Sequence, residues 1–351
     1  MKVMCVYTPA GPSYVRSGWG RVFAACGHKF VFWRPEVKSA FDAFSEQEPD
    51  LFIGTTYDLD RAVAKCIAAR PHMKVALFGS AWGPYLNDID LQRYPLVVTS
   101  EQEKRAIELL KKETGKPDLV FIHAHDRWLE GTMSGWGSIG VKYAGILNAA
   151  DTFVYLNGRH RPELACDVAF VGGYWGYKAR NLNTHMLPLC EAGRGLRVKI
   201  FGNQHWLVAQ YLGGIDDADV KDLFVSATVC PNVSEPHSTD KGLGWDIIER
   251  PFKIASSGGF CVSDYVEEAR DLFDENELPM ADTPSRFHEL VRFFVDNPGS
   301  RDNKRERFRR KVLTDHTYFE RVADMLDALG MTKEVARVLQ VKGEYLKGQL
   351  I

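Results

Sequence analysis

The sequence predicts an α/β protein built from two doubly wound parallel sheets. Three observations lead there. Short apolar runs, each followed by turn residues and then a helical pattern, recur from the first residues onward, the sign of βα units. The same architecture restarts near Ala165, where CDVAFVGG reads as a strand ending in two glycines, as a fresh mononucleotide-binding half would begin. Finally, 351 residues are too many for one ordinary domain and comfortable for two, each able to bury its own core.

In the first half the apolar runs predict strands over Val3 to Tyr7, Lys29 to Trp33, Leu51 to Ile53, Lys74 to Phe78, Leu96 to Thr99 and Leu119 to His123. Between them Gly20 to Cys26, Asp58 to Ala69 and Glu101 to Glu113 read as helices. Ser100 and Glu103 have capping-box spacing for the last of these. After the strand at Ala165 come a helix over Leu182 to Glu191 and a strand over Arg197 to Phe201, closed by Gly202. Thr228 to Asn232 follows as a strand, then a helix inside GWDIIERPFKIASSGG, then a strand over Gly259 to Ser263. From Pro284 onward the pattern is helical: Ser285 to Asp296, Arg301 to Leu313, Tyr318 to Leu329 and Lys333 to Lys347. The expected division is 1–160, 161–325 and a C-terminal helix over 326–351 that crosses back to the first domain.

Lysine and arginine number 44 against 46 acidic residues, a formal charge of -2, so no global field favours a polyanion and any nucleic-acid affinity must be local. The one charge run, RDNKRERFRRK at 301–311, reads either as a solvated helix face or as a docking patch for an acidic acceptor. The N-terminus MKVMCVYTP has a strand pattern without the long apolar core of a signal peptide, and no apolar stretch reaches the ~20 residues of a membrane span, which predicts a cytoplasmic protein. Seven cysteines lie scattered without CxxC spacing, most of them in apolar runs, and read as buried free thiols.

Several segments could carry chemistry. Gly172 and Gly173 end a strand where backbone amides can approach a ligand, and Lys178 and Arg180 follow within reach of a diphosphate; a tight strand-to-helix turn is the alternative. The stretch Glu249 to Gly259 begins a helix beside the same crevice, its dipole favouring negative charge. In the first domain FIHAHDRW places His123, His125 and Asp126 at a strand's carboxyl tip. Alternation puts the two imidazoles on one side if the strand persists, so a zinc pair is conceivable, but no third ligand is evident and no metal site is expected. The glycine-bearing loops at 8–21, with Tyr14, Arg16 and Trp19, and at 128–140 are candidates for an acceptor wall. Neither contains a phosphate-binding fingerprint.

The run Arg250-Pro-Phe-Lys-Ile-Ala-Ser-Ser-Gly-Gly resembles the R-x-F-E-x-x-x-x-G-G pattern of the spore-maturation-protein-like branch of glycosyltransferases with the GT-B fold. Asp167 to Gly172 matches that branch's D-x-x-F-V-G segment, and His316 to Arg321 its H-T-Y-x-x-R signature, in the family's order over most of 165–325. The resemblance implies two Rossmann-like domains facing a cleft, the first presenting an acceptor and the second binding a nucleotide-sugar, for example a UDP- or GDP-sugar, as co-substrate. It implies transfer with retention, no metal and no other cofactor.

Residue by residue, it implies that Gly172 and Gly173, helped by Lys178 or Arg180, receive the diphosphate, and that Ser257, Gly258 and Gly259 line the nucleotide; Arg250 and the helix N-terminus can add positive charge for the departing diphosphate. The strand end at His123, His125 and Asp126 is similar to the family's H-x-H-D segment, where a histidine contacts the donor sugar. One departure stands out. The family's ribose-binding glutamate is here Lys253, which cannot accept a hydrogen bond, so Glu249 one turn earlier takes over or the nucleotide is held differently. The Glu-x7-Glu pair of the wider superfamily is also absent, since the residue eight before Lys253 is Trp245. The alternatives are a nucleotide-sugar epimerase of the same fold and a nucleotide-binding module without turnover. Compatible acceptors are a saccharide, a small metabolite, a protein or a hydroxylated phage DNA base.

Overall fold

The computed structural model describes residues 1–7, 13–56, 59–79, 82, 101–176, 178–234 and 247–349. The expected strand at Leu96 to Thr99, the Ser100 cap, the first residues of the 8–21 loop and Trp245 lie outside the described residues. Backbone packing divides the chain into two units, Met1–Leu147 with Phe319–Lys347, and Asn148–Tyr318 with Gly348–Ile351. The return to the first unit thus begins at Phe319, within the second-last helix of the chain.

The first unit alternates β1 (Lys2–Val6), α1 (Ser13–Ala25), β2 (Lys29–Trp33), α2 (Ala40–Gln47), β3 (Leu51–Thr55), α3 (Arg61–Ala68), β4 (Lys74–Phe78), α4 (Glu101–Thr114), β5 (Leu119–Ile122), α5 (Asp126–Ser138) and β6 (Tyr143–Gly145). Its sheet is parallel in the order β2-β1-β3-β4-β5-β6. Every residue of β3 and β5 is buried, as expected for strands covered on both faces. Helices start where side chains satisfy free amides: the Ser39 hydroxyl accepts from the Asp42 N–H at 3.2 Å, and the Asp60 carboxylate from the Val63 N–H at 2.8 Å.

Helix α5 is absent from the sequence-based expectation because its glycines each cost a helix about 1 kcal/mol relative to alanine. Its packing explains two of them. A β-carbon on Gly135 would stand 2.3 Å from the Trp82 ring and one on Gly137 2.9 Å from the Tyr143 ring, so the glycines let aromatic rings lie against the helix.

The second unit contains α6 (Thr152–Tyr155), β7 (Cys166–Val171), α7 (Ala179–His185), β8 (Val198–Phe201), α8 (Asp217–Ser226), β9 (Ala227–Asn232), α9 (Glu249–Ser257), β10 (Cys261–Asp264), α10 (Glu267–Leu272), β11 (Met280–Ala281), α11 (Pro284–Asp296) and α12 (Pro298–Asp315). Its parallel sheet has the order β11-β10-β9-β7-β8. Helices α13 (Tyr318–Ala328) and α14 (Thr332–Tyr345) follow and pack in the first unit. There Glu334 of α14 pairs with His28 at 2.9 Å and the Lys142 ammonium donates to the Ala328 carbonyl at 2.6 Å.

The signature residue Asp167 binds the Arg197 N–H at 2.8 Å and its guanidinium at 3.0 Å, fixing β7 against the start of β8. His316 is buried between the rings of Phe252 and Phe273. The basic run on α12 is largely engaged within its unit: Arg301 donates to the Phe294 carbonyl, Lys304 to the Glu275 carbonyl, Arg309 to Asn157, and Lys311 pairs with Asp315. All seven cysteines are free thiols and six are buried.

Candidate functional site

In the second unit the chain steps from β7 to β8 on one side and returns to β9 on the other, so the sheet order reverses between β7 and β9. Crevices outside the carboxyl ends of strands at such reversals are where open α/β sheets bind ligands. The residues that converge there come from the ends of β7, β9 and β10 and the starts of α7 and α9.

Gly172 and Gly173 follow β7 directly. A β-carbon on Gly172 would lie 2.8 Å from a Phe170 ring carbon and 3.1 Å from Arg250 Nη2, and one on Gly173 would lie 2.8 Å from both the Asn203 amide oxygen and the Trp175 indole nitrogen. Only a residue without a side chain lets the backbone pass here. The turn is held from below by the Trp206 indole N–H, which donates to the Gly172 carbonyl at 2.9 Å.

Arg250, the second residue of α9, spans the strand ends on either side of the reversal. Its Nε–H donates to the Val171 carbonyl at 3.1 Å, and its Nη1 donates to Asn232 Oδ1 at 3.0 Å and to the Val233 carbonyl at 3.3 Å. The guanidinium carbon lies 4.5 Å from the centre of the Phe170 ring. A cation is therefore pinned in a defined plane at the reversal, with Nη2 on the side of Gly172. Lys178, half-buried, precedes α7, and Arg180 is exposed in its first turn.

Polar residues that the motif reading does not single out complete the arrangement. Asp264 ends β10 fully buried, and its two oxygens accept from the Ser234 N–H and the Ser234 hydroxyl, each at 2.8 Å. Burial pushes its carboxyl up to about 6, against the pull of Ser234 and the Arg250 charge. Asn181 of α7 donates to the Ser234 carbonyl at 3.1 Å, and Asn232 donates to the Ser263 hydroxyl at 2.9 Å. Glu268, buried in α10, accepts from the Ile247 N–H at 2.6 Å.

Ser257, Gly258 and Gly259 are not brought to this site. They lie where α9 ends and β10 has yet to begin, and the register of β10 on β9 and of β9 on β7 sets Gly259 level with Asp167 at the amino edge of the sheet, roughly 16 Å along the strands from Gly172 at ~3.3 Å per residue. The Ser257 hydroxyl donates to the Lys253 carbonyl at 2.7 Å, and the Ser257 carbonyl accepts from the Gly158 N–H at 2.8 Å. Gly258 caps α9 at a φ of 94°, and a β-carbon on Gly259 would meet the Phe224 carbonyl oxygen at 2.6 Å. The two glycines thus serve a helix end and a close backbone approach.

Lys253 points its ammonium at the Tyr155 ring, 5.1 Å from the centre. Burial lowers its pKa, while Glu249, Asp217 and Asp151 favour the charged form. Glu249 is the first residue of α9 and half-buried, one helical turn before Lys253.

In the first unit β5 ends at Ile122, so the alternation that would align His123 with His125 does not continue. His123 donates from Nδ1 to the Ile146 carbonyl at 2.6 Å, with its ring beside Phe78 and Trp19. His125 instead caps α5: its Nδ1 accepts from the Arg127 N–H at 3.3 Å, which assigns the proton of the neutral ring to Nε2. Asp126 is exposed as the first residue of that helix.

Two acceptor-wall expectations need correction. Trp19 is buried against Phe121 and Arg16 is buried with its guanidinium on the Val6 carbonyl, leaving only Tyr14 of that trio exposed; Trp136, in the 128–140 segment, is fully buried. No group of three or more His, Cys, Asp or Glu residues suited to a metal ion occurs among the described residues, and no helix among them is long and apolar enough to cross a membrane.

Residues 180–327 match the family described as Glycosyl transferase-like. No curated protein sequence matches the chain. Among solved structures, the chain is similar to sucrose-phosphate synthase from Thermosynechococcus elongatus, with a TM-score of 0.61 and 11% identity over 97% of this chain and 99% of that one. It is also similar to an alpha-glucosyltransferase in complex with UDP and a 13-mer DNA containing a HMU base, with a TM-score of 0.62 and 10% identity over 94% and 99%. A third is T4 phage BGT in complex with UDP and Mn2+, with a TM-score of 0.51 and 11% identity over 99% of both chains. Residues 180–327 are therefore similar to glycosyltransferases in sequence, and the fold is GT-B, with two parallel-sheet α/β units.

Proposed function

We propose that this GT-B glycosyltransferase binds the diphosphate of a nucleotide-sugar at the β7–β9 reversal of its second unit and moves the sugar to an acceptor carried by the first. The observation that carries this reading is Arg250, a cation fixed at the strand ends beside Gly172 within the family-matched region. As the glycosidic bond breaks, negative charge builds on the departing diphosphate. Arg250, Lys178 and Arg180 can stabilise it by charge and hydrogen bonding, so we read the transfer as independent of metal. One similar structure, that of T4 phage BGT, was solved with UDP and Mn2+, and assays with added Mn2+ and with EDTA decide the point.

We assign His125 and Asp126 to the reacting sugar or acceptor, on their place at the carboxyl end of a first-unit strand; the Nε2–H of His125 can donate to a sugar hydroxyl. His123 is the weaker candidate, because its Nδ1 is committed to Ile146. The ribose goes to Glu249, whose carboxylate can accept from both hydroxyls while offsetting Lys253. On the R-x-F run we keep the chain with the spore-maturation-protein-like branch and expect retention. The engaged cations of α12 and the formal charge of -2 give no support to a broad nucleic-acid surface.

The test is a panel of UDP-, GDP-, ADP- and dTDP-sugars with the purified protein. Slow donor hydrolysis that accelerates with one of a saccharide, metabolite, protein or hydroxymethylated DNA supports the transferase. Isomerisation of the sugar supports an epimerase, and binding without turnover a nucleotide-binding module.

A further inference from the structure

Asp264 is a buried carboxylate beside a site assigned to an anion, an arrangement that costs folding energy and repels the ligand. A carboxylate in that place needs a reason other than contact with the ligand, and its hydrogen bonds supply one. Both oxygens are taken by Ser234, one by the N–H and one by the hydroxyl, each at 2.8 Å. From Ser234 the chain of bonds continues to α7, where Asn181, itself buried, donates to the Ser234 carbonyl at 3.1 Å. Asn181 directly follows the segment bearing Lys178 and Arg180. A second route leaves Asp264 through the Ser263 hydroxyl at 3.4 Å to Asn232 at 2.9 Å, whose Oδ1 accepts from Arg250 at 3.0 Å. Both routes end on segments whose cations the proposed function assigns to the diphosphate.

We propose that Asp264 is a positioning residue of the donor site: through Ser234 and Asn181 it holds the turn after β9 and the start of α7, and through Ser263 and Asn232 it steadies Arg250, so that both cationic segments are set before the donor arrives. This rests on the donor site lying at the β7–β9 reversal. Ser234 is the hinge of the device, since it receives Asp264 on its amide and hydroxyl and Asn181 on its carbonyl. Preorganisation of this kind shows in donor binding and in the bond-breaking step that the same cations assist.

The experiment measures affinity for UDP, GDP, ADP and dTDP by calorimetry, and KM and kcat for hydrolysis of the matching nucleotide-sugar. The proteins are the wild type, Asp264→Asn, Ser234→Ala, Asn181→Leu and the Asp264→Asn/Ser234→Ala double variant, each with its melting temperature. The expected result is a loss of about 5- to 20-fold in nucleotide affinity for each single variant, with the double variant no worse than the weaker single because the residues act as one unit. KM rises and kcat falls together, because the same cations hold the donor and stabilise its departing diphosphate, and Asp264→Asn loses affinity without a lower melting temperature. Wild-type affinity in Asp264→Asn, or losses that only track lower melting temperatures, would overturn the proposal. Absence of nucleotide binding in the wild type, or undiminished binding in an Arg250→Ala variant measured alongside, overturns the donor-site reading itself, whereas loss in Arg250→Ala with none in Asp264→Asn overturns only the positioning role.

Discussion

Replacing Asp264 by asparagine should make the protein more stable at neutral pH and leave it unchanged in acid. The folded-state value of about 6 lies above the ordinary 3.8, so the folded protein holds this proton more tightly than the unfolded chain. The cost of ionising the group is therefore absent in acid below the ordinary value, grows as the pH rises towards about 6 and is constant above it. About two units at ~1.4 kcal/mol each give a cost on the order of 3 kcal/mol at neutral pH. Asparagine is close in shape to the protonated acid and retains an oxygen for the Ser234 N–H, so the variant escapes most of that cost. Urea unfolding of both proteins at about pH 4 and about pH 7.5 is the assay. The expected difference is below ~0.5 kcal/mol in acid and roughly 2 to 3 kcal/mol in favour of the variant at neutral pH. A variant less stable at both pH values, or a difference that does not change with pH, would refute the reasoning, because Asp264 would then be a net stabilising anion.

Arg250→Lys keeps a positive charge but cannot span Val171, Asn232 and Val233, so nucleoside diphosphate affinity measured by calorimetry should fall by ~1 to 3 kcal/mol. His125→Asn retains a side chain able to cap α5 and removes the imidazole; it should lower turnover at least tenfold with unchanged melting temperature and nucleotide affinity, and full turnover would reduce His125 to a cap. Ser257→Ala removes only the bond to the Lys253 carbonyl, so stability should drop by about 1 kcal/mol while nucleotide affinity stays the same; a loss of affinity would return the end of α9 to the binding site.

Most strands were legible because parallel strands covered on both faces must be apolar along their whole length, as in Leu51–Thr55 and Leu119–Ile122. Helix α5 was not, because its glycines answer to the Trp82 and Tyr143 rings, which lie elsewhere in sequence. The same limit shaped the site. Gly172 and Gly173 were found because two glycines after a strand mark a close backbone passage. For Ser257 to Gly259 the sequence could not show the edge of the sheet, because a helix-ending glycine and a ligand-facing glycine look alike in one dimension and only strand register tells them apart. Asn181, Ser234 and Asp264 come from three separate segments, and nothing local in any of them shows that they share hydrogen bonds.

The central claim is that the donor diphosphate sits at the β7–β9 reversal, and a crystal structure of the protein grown with the nucleoside diphosphate it binds best tests it most directly. The account predicts phosphate oxygens within hydrogen-bonding distance of the Arg250 guanidinium and the backbone amides at Gly172 and Gly173, with Lys178 or Arg180 completing the contacts. A diphosphate bound instead at the end of α9, against Ser257 and Gly259, or anywhere in the first unit, would contradict it.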